Sequence, residues 1–243
     1  MSKLRDRIRD TSRRRRGGLG FAPAPDDAPG GHILVVAEVA DAASAAAAIE
    51  AGASALLAGD DAAAVAEAAG DAPAGVRLED ATAEQTKTAA EAGADFFLFD
   101  DARAAAGALL ERRLGRVLLL EAGADEDRLR MLAPLRLDAV LLGAQAAAPT
   151  VRDQLALRRI TELVQAPLML AVTEAITAET LEVWRDSGAP AVLVPADGSA
   201  LLAEVIAAAS EVGPPRERDD DQRPDPLLPS ITPTGDDEDD DFE

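Results

Sequence analysis

Four glutamates occupy related positions in the sequence, each at the end of a short aliphatic run or just past one. They are Glu38, Glu79, Glu121 and Glu174. Carboxylates that lie close together raise one another's pKa, so such a group needs a counter-charge. Three sources of that charge are open: a hard divalent cation such as Mg2+, which prefers oxygen ligands; a cationic group of a substrate; or arginines such as Arg77, Arg103 and Arg152.

The four glutamates allow different kinds of chemistry. If they converge, all four are candidate metal ligands, and Glu38, Glu121 and Glu174 are candidate catalytic acids or bases. The alternative is that some of them are solvated in loops or paired with arginine. Mutual repulsion predicts that Glu79→Gln stabilises the metal-free fold, whereas a bound cation reverses that sign.

A second candidate site lies in the segment PADGSALL (195–202). Gly198 and Ser199 stand where a helix is expected to begin, and the free N–H groups of a helix start can bind phosphate. The same residues are equally typical of an ordinary helix N-cap, and the negative Asp197 opposes an anion. Phosphate binding by Gly198 and Ser199 is therefore one of two interpretations.

The elements that would position these residues repeat eight times between Ile33 and Val212: an aliphatic run, a polar turn and an Ala-rich helical stretch. Strands that alternate with helices predict a parallel sheet covered by helices. Eight units favour a closed (β/α)8 barrel (a TIM barrel) over an open doubly wound sheet. Alternate strands of such a barrel contribute to one layer, which would place the four glutamates together at its mouth. The predicted strands are 33–39, 54–59, 75–79, 96–100, 116–122, 139–144, 168–172 and 191–196.

Length and composition favour one α/β domain with charged tails. The chain has 243 residues, of which 48% are hydrophobic and only 2% aromatic. We expect a basic N-terminal arm and linker over residues 1–30, a compact barrel over 31–213 and a disordered acidic tail over 214–243. Within the arm, residues 2–12 could form a helix with Leu4 and Ile8 on one face.

Charge is distributed unevenly along the chain. Residues 1–20 hold eight basic and two acidic residues, a net +6, whereas 214–243 hold twelve acidic and three basic ones, a net −9; the total of −21 leaves −18 for the residues between them. An acidic barrel repels nucleic acid, so such a contact would have to use the N-terminal arginines. The tails, or the apolar segment Leu227–Ile231 within the acidic tail, are candidate contacts for a protein partner.

Composition also excludes or disfavours several kinds of site and a membrane-spanning protein. No cysteine is present, and the one histidine, His32, excludes a multi-histidine metal site. No apolar run reaches the roughly 20 residues of a membrane span, and the expected location is cytoplasmic. We interpret His32 and Trp184 as structural residues.

With these residues in view, the chain resembles the ribulose-phosphate-binding barrels, and most of all indole-3-glycerol phosphate synthase. The resemblance covers most of residues 33–202. It implies that Glu38, Glu121 and Glu174 occupy the places of functional glutamates in that family. The similar segments are AEVAD (37–41), VRLED (76–80), LLLEAGADEDRL (118–129) and AVTEAITAETLEVWRDSGAPAVLV (171–194).

The catalytic lysines of that family are absent. Ala40 and Glu79 stand where the resemblance expects lysines, and Gly143 stands near an expected asparagine. Two functions follow. The first is a divergent barrel without catalysis, a pseudoenzyme that serves as a binding or scaffold subunit through its charged tails. The alternative is a lyase or isomerase acting on a small molecule at a carboxylate-rich site, with a divalent metal as one option.

Overall fold

Eight parallel strands close into a barrel in the computed structural model, which describes residues 2–12, 32–59, 61–121, 123–196 and 199–214. The first strand pairs with the second and also with the eighth, Leu34 lying opposite Ala191. This pairing confirms the closed (β/α)8 barrel and excludes the open sheet. The strands are β1 Leu34–Val39, β2 Ala55–Ala58, β3 Ala74–Arg77, β4 Phe96–Phe99, β5 Gly115–Leu120, β6 Ala139–Leu142, β7 Leu168–Ala171 and β8 Ala191–Pro195.

Helices surround the barrel, and most begin at a residue that suits a helix start. Asp41, Asp61, Thr82, Asp125 and Thr150 each accept a hydrogen bond from a backbone N–H of the first turn that follows, which satisfies a donor that the helix leaves free. A 3-10 helix, Ala106–Leu110, replaces an α-helix after β4, and another, Ala133–Leu135, follows α5. The α-helices are α1 Lys3–Ser12, α2 Ala42–Ala51, α3 Ala62–Ala69, α4 Ala83–Glu91, α5 Glu126–Leu132, α6 Val151–Val164, α7 Ala178–Asp186 and α8 Ser199–Ser210.

The strand side chains alternate between two apolar layers. One layer packs against the surrounding helices and includes Trp184 of α7, which is buried, consistent with its predicted structural role. The other fills the barrel interior and includes Phe96 and Met169. Gly75 makes room for Phe96, because a Cβ at position 75 would overlap the Phe96 ring.

The helix α1 closes the barrel end where the strands begin. Leu4 and Ile8 are 0% and 4% exposed and belong to the interior apolar cluster. Asp95, which precedes β4, accepts hydrogen bonds from Ser2 Oγ at 3.0 Å and from the backbone N–H groups of Lys3 and Leu4 at 2.7 and 2.8 Å. The helix predicted within residues 2–12 therefore forms over Lys3–Ser12, but it packs into the barrel, whereas the sequence-based division assigned it to the N-terminal arm (1–30). The open barrel end supplies the apolar surface that the face of Leu4 and Ile8 needs.

The remaining predictions about the tails concern segments outside the described residues. These segments include the N-terminal arginines Arg13–Arg16, the apolar segment Leu227–Ile231 and the acidic run that follows it. Among the described helices, none is both long enough and apolar enough to cross a bilayer.

Candidate functional site

The mouth of the barrel, at the carboxyl ends of the strands, holds an ion-paired row of side chains. Glu38 of β1 and Arg77 of β3 both occupy inward-facing positions, two residues beyond Val36 and Gly75 respectively. Arg77 donates to Glu38 Oε1 through Nε at 2.9 Å and through Nη2 at 2.6 Å. Both side chains are about a third exposed, so their charges face the mouth while being held by each other.

Glu79 extends the same row. It accepts a hydrogen bond from Arg77 Nη1 at 3.1 Å on one oxygen and from Arg103 Nη1 at 2.7 Å on the other. The order is thus Glu38, Arg77, Glu79 and Arg103, with alternating charges that sum to zero. Of the three counter-charges considered from the sequence, arginine is the one that meets these two glutamates. The third arginine, Arg152, is an exposed residue of α6 and forms no ion pair with any of the four glutamates within the described chain.

The other two glutamates stand apart from this row. Glu121 follows β5 and Glu174 follows β7, and both side chains are exposed. Within the described residues, no three His, Cys, Asp or Glu side chains lie close enough together to hold a metal ion. The structure therefore does not assemble Glu38, Glu79, Glu121 and Glu174 into the four-carboxylate layer considered above. The physical reason is that Arg77 lies between two of them, while the other two point to solvent.

The predicted phosphate site is only partly covered by the structure. Ser199 is the first residue of α8, as expected for a residue that begins a helix after the eighth strand. Gly198 and the side chain of Ser199 lie outside what the structure describes. Phosphate binding there stays a prediction, as do the catalytic roles assigned to Glu38, Glu121 and Glu174.

A cavity of about 230 Å3 opens beside the ion-paired row. Among the described residues, Glu38 and Arg77 are the charged ones that line it, and Thr173, after β7, adds a hydroxyl. The other lining residues are apolar or small, and the barrel interior supplies the floor: Leu119, Leu141, Leu142, Ala171, Val172, Leu193 and Pro195, with Gly143 at the edge. Both charged residues were predicted from the sequence, but this apolar floor was not. The strict alternation of inward and outward positions along each strand is the signal that could have shown it.

Known proteins resemble this chain in structure but not detectably in sequence. No protein-family model matches the chain, and no curated protein sequence is similar enough to match it. Many solved structures share its fold. Tryptophan synthase from M. tuberculosis superposes with a TM-score of 0.60 and 15% identity over 87% of this chain and 98% of the other.

Two further enzymes superpose as well. Thiamine phosphate pyrophosphorylase from Pyrococcus furiosus has a TM-score of 0.53 and 17% identity, covering 74% of this chain and 93% of its own. Dihydropteroate synthase from Xanthomonas albilineans has a TM-score of 0.52 and 17% identity, covering 72% and 90%. At such low identity the comparisons establish the fold, and the chain is therefore a (β/α)8 barrel with the same architecture as these enzymes.

Proposed function

We propose that the mouth of the barrel binds a small organic molecule through an apolar body and one uncharged head group that both donates and accepts hydrogen bonds. The observation that carries this proposal is the pairing of Glu38 and Arg77 at the wall of an otherwise apolar cavity. Ligand sites are typically of this kind, with a few placed polar groups in an apolar lining. In (β/α)8 barrels they lie at this end of the strands.

The chemistry of the head group follows from the hydrogen-bond donors and acceptors of Glu38 and Arg77 that are not used within the row. A guanidinium has five N–H donors, and Arg77 uses three of them on Glu38 and Glu79. Glu38 receives both of its Arg77 bonds on Oε1, and within the described residues nothing donates to its Oε2. The pair thus keeps both donors, on Arg77, and an acceptor, on Glu38, a combination that suits a primary amide or a hydroxyl.

The charge balance of the row favours a neutral head group over a charged one. Two carboxylates and two guanidinium groups cancel, so an anionic head group would meet Glu38 and Glu79 as well as Arg77. A cationic head group would meet Arg77 as well as Glu38. The cavity of about 230 Å3 is smaller than the roughly 300–1,000 Å3 of sites for drug-sized ligands, which indicates a compact molecule.

A set of four probes with the same six-carbon stem tests the proposal: hexanamide, hexan-1-ol, hexanoate and hexylamine. Ligand-observed NMR titrations should give tighter binding for the amide and the alcohol than for either ion. Arg77→Met should abolish the preference for neutral head groups. Arg130→Met is the matched control, since Arg130 is also paired with two carboxylates, Glu126 and Asp127, but on the exposed face of α5. The proposal would be overturned if the wild type bound all four probes equally. It would also be overturned if Arg77→Met bound them with the same affinities as the wild type.

A second candidate is acid-base catalysis on such a ligand, a lyase or isomerase with Glu38 as the reacting carboxylate. The specific observation in its favour is that Glu38 lines the cavity, within reach of a bound molecule. Glu38→Gln separates the two functions, because the amide keeps a hydrogen-bonding side chain but cannot take up a proton. Retained binding with lost turnover would support catalysis. The scaffold function predicted from the charged tails stays a prediction, because most of both tails lies outside the described residues.

A further inference from the structure

A second cavity lies directly beside the mouth, between the carboxyl ends of β5 and β6 and the helices α5 and α6. Its volume is about 270 Å3. We refer to it as the side cleft. Leu129 of α5 and Leu157 of α6, both buried, form part of its apolar wall, and Ile160 continues that wall. It is therefore lined by the outer apolar layer of the barrel, whereas the mouth cavity is lined by the inner one.

The mouth cavity and the side cleft meet at the end of β6. Leu142 and Gly143 line both of them. Gly143 is exposed, and a Cβ at this position would meet no heavy atom within 4 Å. Gly143 therefore adds no side chain where the two cavities meet, and its carbonyl accepts a hydrogen bond from Gln145 Nε2 at 2.8 Å. A chain of methylene groups that crosses this point would pass beside the Gln145 amide.

The polar rim of the side cleft differs from that of the mouth in charge. Glu121 and Asp153 both line it, and no arginine or lysine of the described part of the chain does. Asp153 is held at the start of α6, where the backbone N–H and the hydroxyl of Thr150 donate to its carboxylate at 2.8 and 2.7 Å. These hydrogen bonds lower the pKa of Asp153, so it is ionised at neutral pH. The ion-paired row at the mouth is electrically balanced, whereas the side cleft presents two carboxylates to whatever enters it.

We propose that the mouth and the side cleft form one two-part site for an elongated molecule with a neutral head group, an apolar chain and a terminal ammonium group. The head group binds Glu38 and Arg77, the chain crosses Gly143, and the ammonium lies at Glu121 and Asp153. The assignment rests on the proposed function, because the mouth must hold the head group. It goes further in naming an aliphatic amine as the ligand class and in making the side cleft the part of the protein that selects it.

A homologous series of probes tests the two parts separately. Hexanamide occupies the mouth alone, and octanamide and 8-aminooctanamide extend past Gly143. Each methylene group buried in the side cleft should tighten binding about fourfold, and the terminal ammonium should add up to about fivefold. Isothermal titration should therefore show 8-aminooctanamide binding at least tenfold more tightly than hexanamide.

Two variants should remove that gain. Ala156→Phe places a ring in the side cleft, because Ala156 lines the cleft and not the mouth. Glu121→Gln removes one of the two rim charges, so the advantage of 8-aminooctanamide over octanamide should fall. Leu155→Phe is the matched control, since Leu155 is the exposed neighbour of Ala156 on α6 and lines neither cavity. All three variants should bind hexanamide within about twofold of the wild type.

The outcomes distinguish the two proposals. If hexanamide fails to bind the wild type, the proposed function of the mouth is wrong. If hexanamide binds but chain length and the ammonium bring no gain, the mouth proposal stands and the two-part site is wrong. A gain that survives Ala156→Phe equally overturns the two-part site, because the chain then lies elsewhere.

Discussion

Replacing Arg77 by methionine is expected to destabilise the protein by about 2 kcal/mol. Arg77 donates three hydrogen bonds, at 2.9, 2.6 and 3.1 Å, to two carboxylates. Removing one partner of a fully buried ion pair costs about 3–5 kcal/mol, whereas an exposed pair is worth about 0.2–1 kcal/mol. The side chains of Glu38, Arg77 and Glu79 are 33%, 27% and 29% exposed, which places this row between those limits. Methionine keeps most of the aliphatic stem and removes the charge.

Thermal and chemical denaturation of Arg77→Met should show this loss. For a domain of this size, about 2 kcal/mol corresponds to a fall in Tm of about 4–8 °C. A double-mutant cycle with Glu38→Gln should return a coupling energy of about 1 kcal/mol. Glu79→Gln should also destabilise, which is the opposite of the sign expected from four mutually repelling carboxylates. Arg130→Met serves as the exposed control and should change stability much less. An Arg77→Met protein as stable as the wild type would refute the reasoning, because the row would then be solvated.

Three further predictions concern the rest of the barrel. Leu4→Ala removes a completely buried side chain that closes the barrel end, and urea denaturation should show a loss of about 3 kcal/mol; an unchanged midpoint would mean that α1 does not pack there in solution. Gly75→Ala should cost about 3 kcal/mol, because its methyl group would overlap the buried ring of Phe96. Gly107→Ala, whose methyl group would meet only an ordinary contact at 3.4 Å, should cost much less in the same denaturation experiment. Burial raises the pKa of Asp138 above its ordinary value of 3.8, so the folded state keeps this proton longer than the unfolded state. Wild-type stability should therefore fall, relative to Asp138→Asn, as pH rises from about 4 through the raised pKa, and parallel stability curves from pH 3.5 to 7 would contradict it.

The barrel could be predicted from the sequence because its signal is local and repeated. Each of the eight aliphatic runs became a strand within one or two residues of its predicted bounds, with the third, fifth and sixth ending two residues early, at Arg77, Leu120 and Leu142. The connection after β4 departs from the predicted pattern, because Ala106–Leu110 forms a 3-10 helix there and not an α-helix. The closure of the sheet into a barrel was predicted from the number of units. With eight parallel strands, pairing of β1 with β8 leaves no unpaired edge.

The candidate site was predictable residue by residue but not as a set. Glu38, Glu79, Arg77 and Arg103 were all identified, yet the sequence left open whether carboxylates or arginines would meet at the mouth. That choice depends on side-chain direction and reach across the barrel, which strand periodicity alone does not determine. The packing of α1 was missed for a related reason: Leu4 and Ile8 mark an apolar face, but nothing local says which surface covers it.

The most direct test of the central claim is a titration of 15N-labelled protein with hexanamide, followed by amide chemical shifts. Hexanamide in the mouth should shift the amides of Gly143 and Thr173, which line the cavity, and leave those of Lys3 and Asp95, at the opposite end of the barrel, in place. The same titration of Arg77→Met should show no saturable shifts at the mouth. Shifts confined to other parts of the barrel, or identical titrations of the two proteins, would contradict the claim that Glu38 and Arg77 form a ligand site.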